Sequence, residues 1–234
     1  MSNDLHPAAA AVPLYRIVSA LMSYPQPDLI AALPEIGAAL QAEPAHLSAL
    51  QPLLDHLAGT PLIALQEAYV DTFDRSHALS LHLFEHIHGE SRDRGQAMVD
   101  LLDEYRAHGV EPAETELPDY VPLFLEFLSL LDPATAAKLL GDAIHVLAAI
   151  GMRLQKRDHP YAPLFLLLTT LTAVEPREQD EPPVRDMDEA MEVFGPGADG
   201  VEPLLRPAMG GVQPLHFHPR PPASQASPAS PTGR

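Results

Sequence analysis

Apolar residues along this chain recur at helical spacing almost without a break as far as Val174. In "DYVPLFLEFLSLL", Tyr120, Leu123, Phe124, Phe127, Leu128 and Leu131 fall at i, i+3, i+4, i+7, i+8 and i+11, the broad stripe of an amphipathic helix. Leu62, Leu65, Tyr69 and Phe73 repeat the stripe, with Thr60 and Pro61 expected as N-cap and first helical residue. Asp132-Pro133 opens a further helix over 132–155 that carries Leu139, Leu140, Ala143, Ile144, Leu147, Ile150 and Leu154. The same spacing predicts helices over 12–24, 28–41, 45–58, 78–86, 91–108 and 161–174, the second bent or split at Pro34. No segment alternates with period two between hairpin turns, so no sheet is expected. The pattern predicts an all-α fold, a single globular helical bundle with short Gly or Pro connections.

The pattern stops at Val174. Between Glu175 and Glu192 stand Glu175, Glu178, Asp180, Glu181, Asp186, Asp188, Glu189 and Glu192 against only Arg177 and Arg185. One weak helix is expected over 186–194; beyond it Pro, Gly, Ala and Ser dominate to the end, "PRPPASQASPASPTGR". Such a segment cannot bury enough apolar surface to offset its chain entropy. The division expected is a helical domain over 1–174 and a disordered tail over 175–234, acidic first and Pro/Gly/Ser-rich after.

Composition narrows the function classes. The formal charge of −18 repels nucleic-acid phosphates and anionic lipid, and favours a cationic or amphipathic peptide as partner. The absence of cysteine removes disulfides, iron–sulfur ligation and thiolate zinc sites, and fits a reducing compartment. No Lys or Arg precedes Arg16, which speaks against a secretory leader, and the run "YAPLFLLLTTLTAV" is too short to cross a bilayer. A soluble cytoplasmic protein is expected, with neither nucleic acid nor membrane insertion.

Chemistry concentrates in "LHLFEHIHGESRDRGQAM". His82-Leu83-Phe84-Glu85-His86 spells H-x-x-E-H, the inverted zinc-peptidase signature, and histidines at i and i+4 on a helix can bridge a metal. A zinc-dependent hydrolase built on His82, Glu85 and His86 is therefore the alternative function. It needs a sheet and a third ligand that the sequence does not single out. Local chemistry explains more: Gly89 can end one helix in the left-handed conformation and Ser91 can cap the next, with His86 and His88 favoured at the helix end. Asp93 suits the first turn, whereas Arg92 and Arg94 there call for a carboxylate, with Glu85, Glu90 and Asp93 the candidates. Gly195-Pro196-Gly197-Ala198-Asp199-Gly200 matches G-x-G-x-x-G, but no strand precedes it and Asp199 would repel phosphate. No nucleophile elbow and no Walker loop occurs, and no metal or bound cofactor is expected.

Taken whole, "FEHIHGESRDRGQAMVDLLDEYRAHG" followed by "ELPDYVPLFLEFL" resembles the NarJ-type nitrate reductase assembly chaperones, a branch of the TorD/DmsD redox-enzyme chaperones. "LQEAYVDTFDRSHALSLHLFEH", "YPQPDLIAALPEI" and "RLQKRDHPYAPLFLLL" extend the likeness from about Val12 to Val174. The resemblance implies a TorD-like all-helical chaperone that is not an enzyme. It implies as partner the apo form of the molybdenum-containing catalytic subunit of respiratory nitrate reductase, especially its N-terminal segment. It further implies that the subunit stays competent for iron–sulfur and molybdenum cofactor insertion while membrane docking is delayed, with the proteins that make that cofactor as further contacts.

Residue by residue, the resemblance maps a peptide groove onto Tyr69, Phe73 and Asp74 and onto Pro118, Asp119 and the helix that follows, with Leu123 and Glu126. The Glu85, His86, His88, Gly89, Glu90, Ser91, Arg92, Asp93 and Arg94 block adds a partner-reading surface. Tyr120 stands where the family commonly has histidine, and a tyrosine cannot be cationic. The residues themselves suggest an apolar groove that accepts an amphipathic helix, with a carboxylate rim of Glu67, Asp71, Asp74, Glu116, Asp119 and Glu126 steering basic residues. Plain core packing is the competing role for Tyr69, Phe73, Leu123 and Phe127.

Overall fold

The computed structural model of the chain describes residues 7–89, 91–113 and 116–177, with side chains from Leu14 onward. Glu90, the helix expected over 186–194 and the glycine pattern at 195–200 lie outside the described residues, as does all of 178–234.

Nine α-helices run through the described residues: α1 Pro7–Met22, α2 Pro27–Leu40, α3 Pro44–Gly59, α4 Leu62–Tyr69, α5 Leu83–His88, α6 Asp93–Ala107, α7 Val121–Leu128, α8 Pro133–Lys156 and α9 Ala162–Leu168. A π-helical turn, Val70–Asp74, prolongs α4, and a 3-10 turn, His77–Leu79, follows it. The expected all-α architecture is what the chain adopts; the described residues hold no strand, only an isolated antiparallel bridge between His82 and Tyr120.

The 24-residue helix α8 forms the axis of the core. Its first turn is fixed by Asp132, whose Oδ1 accepts the backbone N–H groups of Ala134 and Thr135, both at 3.1 Å. Arg153 and Lys156 stand in its last turn, where the helix dipole favours cations. Leu140, Ile144, Leu147, Ile150 and Leu154 on one face are wholly buried. The helix is long and apolar enough to span a bilayer, yet 61% of its apolar window is buried inside the fold, as in a central core helix.

Two glycines let neighbours approach α8. A Cβ at Gly151 would lie 2.7 Å from Phe165 Cβ on α9, and one at Gly141 would lie 2.7 Å from Val174 Cγ2. Val174, 41% exposed, rests against α8 at Gly141, and the Arg177 N–H reaches the same helix, donating to His145 Nδ1 at 3.0 Å.

Helix α1 lies against α7, joined by the buried Ser19 hydroxyl donating to the Pro122 carbonyl at 2.6 Å. Helices α2 and α3 pair on the outside and run unbroken through Pro34 and Pro52. Both prolines are exposed, so the carbonyls they leave without an N–H partner have solvent nearby. Helix α2 is not split at Pro34. Three other expectations change. The helix at 78–86 is instead a 3-10 turn, an extended residue and the short α5, and the last helix ends at Leu168 rather than 174. At α4 the N-cap position is Pro61 rather than Thr60, with no side-chain cap bond.

Candidate functional site

The segment Pro118–Tyr120 is clasped against residues 81–84 by hydrogen bonds from both backbone and side chain. Leu83 N–H donates to the Asp119 carbonyl at 3.1 Å, and Val121 N–H donates to the Leu81 carbonyl at 2.8 Å. The Asp119 carboxylate, fully buried, accepts the Phe84 N–H at 3.0 Å and takes a hydrogen bond from His82 Nδ1 at 3.2 Å. Tyr105 of α6 donates its hydroxyl to the Pro118 carbonyl at 2.7 Å. Asp119 is therefore not a rim carboxylate: buried polar groups must be satisfied, and its oxygens are held within the clasp. The hydrogen bond from His82 to Asp119 holds the imidazole above its usual range, against the burial that pulls it down.

The same clasp dismantles the inverted zinc motif. His82 is the extended residue before α5, so it shares no helical face with His86. Its ring turns to Asp119, while His86 Nε2 donates to the Ser80 carbonyl at 2.8 Å. Among the described residues no group of three or more His, Asp or Glu is placed to hold a metal ion.

Around the turn between α5 and α6 the expected capping is met only in part. Gly89 takes a positive φ of 56° but with ψ −127°, outside the left-handed helical region. The N-cap position of α6 is Arg92, while Ser91 Oγ, one residue earlier, accepts the Asp93 N–H at 3.2 Å. Arg94 finds its carboxylate in Glu85 at 3.2 Å, with His77 at 3.9 Å from the same residue. Burial works against charge on Glu85, but the Ser80 hydroxyl and the positive charges of Arg94 and His82 outweigh it and hold the carboxyl below its usual range. Arg92 and Asp93 are exposed, and the His88 ring sits edge-on to Phe84 at 5.7 Å. The described contacts of the block pin a helical corner.

Tyr69 and Phe73 belong to an inner aromatic cluster and are only 4% and 3% exposed. Phe73 packs against Tyr69 at 4.9 Å, Tyr161 at 5.3 Å and Phe165 at 6.5 Å. The Tyr69 hydroxyl donates to the Met22 carbonyl at 3.0 Å, which leaves the Tyr120 hydroxyl, 3.1 Å away, to donate to Tyr69. Behind them burial, with the charges of His56 and Arg157, pulls the His159 imidazole below its usual range. Its Nδ1 accepts the Tyr161 N–H, so its Nε2 carries the proton toward Thr72 Oγ1 at 3.2 Å. Phe127 is likewise core, 4.4 Å from Tyr105. Leu123 and Tyr120 are half-buried and Glu126 is exposed, so they keep an outward face.

Glu67, Asp71, Asp74, Glu116 and Glu126 are all exposed. Burial raises the Asp74 carboxyl, and the charge of His82 partly offsets the effect. Glu67 and Asp71 also border an open cavity of about 470 Å³ with Tyr24, Ile63, Gln66, Val70 and Arg75. The π-helical turn supplies Val70 and Asp71, and such turns frequently accompany functional sites. Periodicity misses Tyr24, Ile63 and Gln66. Ile63 sits beside the Leu62, Leu65, Tyr69 stripe, and that off-stripe isoleucine is the signal that would have drawn attention to it.

The model of the family described as "Nitrate reductase delta subunit" matches residues 38–166, more than half of the chain. The chain belongs to that family. It is 45% identical over 161 residues to the nitrate reductase molybdenum cofactor assembly chaperone NarJ of Escherichia coli, a match covering 66% of this chain and 67% of that one. The probable nitrate reductase molybdenum cofactor assembly chaperone NarJ of Bacillus subtilis is 33% identical, over 71% of this chain and 92% of its own. Among solved structures, a putative redox enzyme maturation protein from Archaeoglobus fulgidus superposes with a TM-score of 0.53 at 21% identity, covering 72% of this chain and 98% of that one. That likeness establishes the fold alone. Both of the NarJ relatives are named assembly chaperones rather than enzymes, and the zinc hydrolase alternative has lost its motif.

Proposed function

We propose that this member of the nitrate reductase delta subunit family is a cytoplasmic assembly chaperone for the catalytic subunit of a respiratory nitrate reductase. It binds the apo-subunit, including its N-terminal segment, keeps it open to iron–sulfur and molybdenum cofactor insertion, and delays its docking at the membrane. The 45% identity to a chaperone named for molybdenum cofactor assembly carries this reading. The molecule's chemistry supports it. An all-helical body with a charge of −18 and exposed carboxylates at Glu67, Asp74, Glu116 and Glu126 suits a client segment that is basic and amphipathic.

The test is genetic and biochemical together. Expressed in an Escherichia coli strain lacking its own NarJ chaperone, together with the nitrate reductase subunits of this chain's source, the protein should restore molybdenum-loaded enzyme. It should also co-purify with the apo-subunit and be absent from the finished enzyme. Fully loaded reductase formed equally well without it would sink the proposal.

A further inference from the structure

Past α9 the chain does not leave the body at once but tracks along α8. Thr172 Oγ1 and Val174 Cγ2 lie 3.1 Å and 2.7 Å from where a Cβ on Gly141 would stand, and the Arg177 N–H donates to His145 Nδ1 at 3.0 Å. Gly141 and His145 are neighbours at i and i+4 on one face. Between residues 172 and 177 the segment therefore advances toward the C-terminal end of α8. The same face continues through Ala148, Met152 and Lys156, at i+7, i+11 and i+15 from Gly141. Its far half is unfinished. Met152 is 40% exposed, and Lys156 is exposed with no ion-pair partner among the described residues.

Charge and length choose the occupant. From 143 to 174 the sequence holds Arg153, Lys156 and Arg157 against Asp158 alone, a basic stretch in a chain of charge −18. The residues that follow Arg177 read "EQDEPPV", acidic first and apolar after. Lys156 lies about 16 Å beyond His145 along the helix axis, at about 1.5 Å per residue. Residues 178–184 span up to about 23 Å when extended, so they reach it with slack. We propose that residues 178–184 dock along this face of α8 as an intramolecular strap that covers Met152 and sets Glu181 on Lys156. Helical side chains lean toward the N-terminus, which brings the Lys156 ammonium back over the turn where Asp180 and Glu181 arrive. The strap is a contact of the chain with itself and does not depend on the chaperone reading.

The chain has no cysteine, so two introduced thiols carry two spin labels without background. Lys138→Cys, at an exposed position in the first half of α8, and Val184→Cys, at the end of the strap, mark its two ends. Docked, the pair should give one narrow distance distribution by pulsed double electron–electron resonance. Its centre should lie near the ~27 Å that separate residues 138 and 156 along the helix. Adding Lys156→Glu should broaden the distribution, and Glu181→Lys in that same chain should narrow it again. Far-UV circular dichroism and thermal melts should stay as in the parent throughout. Dilution with unlabelled chain should leave the distribution as it is, because both labels sit on one chain. A solvated segment would instead give a broad distribution in the parent. That result, a narrow distribution indifferent to Lys156→Glu, failure of the charge swap to restore it, or its loss on dilution would each overturn the strap, and none of them touches the chaperone reading.

Discussion

Replacing Asp119 should reveal how much of the fold hangs on one buried carboxylate. In Asp119→Ala the Phe84 N–H loses its acceptor and His82 loses its partner. A hydrogen bond from a buried donor to a charged group contributes about 1.5–3 kcal/mol. His82 is 29% exposed, so its ion pair is screened and adds at most about 1 kcal/mol. The expected loss is thus about 2–4 kcal/mol, a large share of a domain's stability. Asp119→Asn is the informative companion, because its amide oxygen can still accept from Phe84 while the charge is gone; it should cost about 1 kcal/mol. The two also differ from wild type in pH response. Because His82 is raised in the folded state, its stabilisation is fully present below the unfolded value of about 6.5 and is lost as pH rises through the folded value. Wild type should therefore lead Asp119→Asn most clearly near pH ~5.5 and less near pH ~8.5, a difference absent when His82 is also replaced. Urea melts followed by far-UV circular dichroism would measure both effects. An Asp119→Ala variant within about 0.5 kcal/mol of wild type, at unchanged slope, would refute the clasp as a stabilising element.

Other substitutions probe the remaining contacts. Gly151→Ala gains about 1 kcal/mol in helix propensity but drives a methyl to 2.7 Å from Phe165 Cβ, so thermal melts should show a net loss of about 1–2 kcal/mol. Phe73→Ala should cost about 3–5 kcal/mol by emptying the aromatic cluster, and any loss of client binding should follow the unfolded fraction rather than exceed it. Tyr69→Phe should cost about 1–2 kcal/mol in the same melts by leaving the Met22 carbonyl without its donor.

The helices could be read from the sequence because their apolar stripes are long. Asp132-Pro133 caps and opens α8 as those residue types favour. The errors fall where a distant contact overrides the local signal. His82 through His86 has helical spacing, yet the backbone bonds to Leu81 and Asp119 pull His82 into an extended conformation. Asp119 reads as a surface acid until its hydrogen bonds to Phe84 and His82, from far along the chain, are seen. The stripe through Tyr69 and Phe73 is legible as apolar, but periodicity cannot say whether such a face is covered. Tyr161, Phe165 and His159 cover it, and they come from the other end of the domain.

The clasp between residues 81–84 and 119–121 closes a large ring of chain, in which Tyr105 is the buried residue of α6. The α5–α6 excursion should therefore detach as one cooperative unit while α8 and α9 remain intact. In native-state hydrogen exchange the amides of Leu83, Phe84 and Val121 should behave as a synchronised set, exchanging together and ahead of the middle of α8. Lengthening the ring costs only a logarithmic increment in closure entropy. Residues inserted at the α5–α6 turn would thus be tolerated far better than any change to the three amides at its neck.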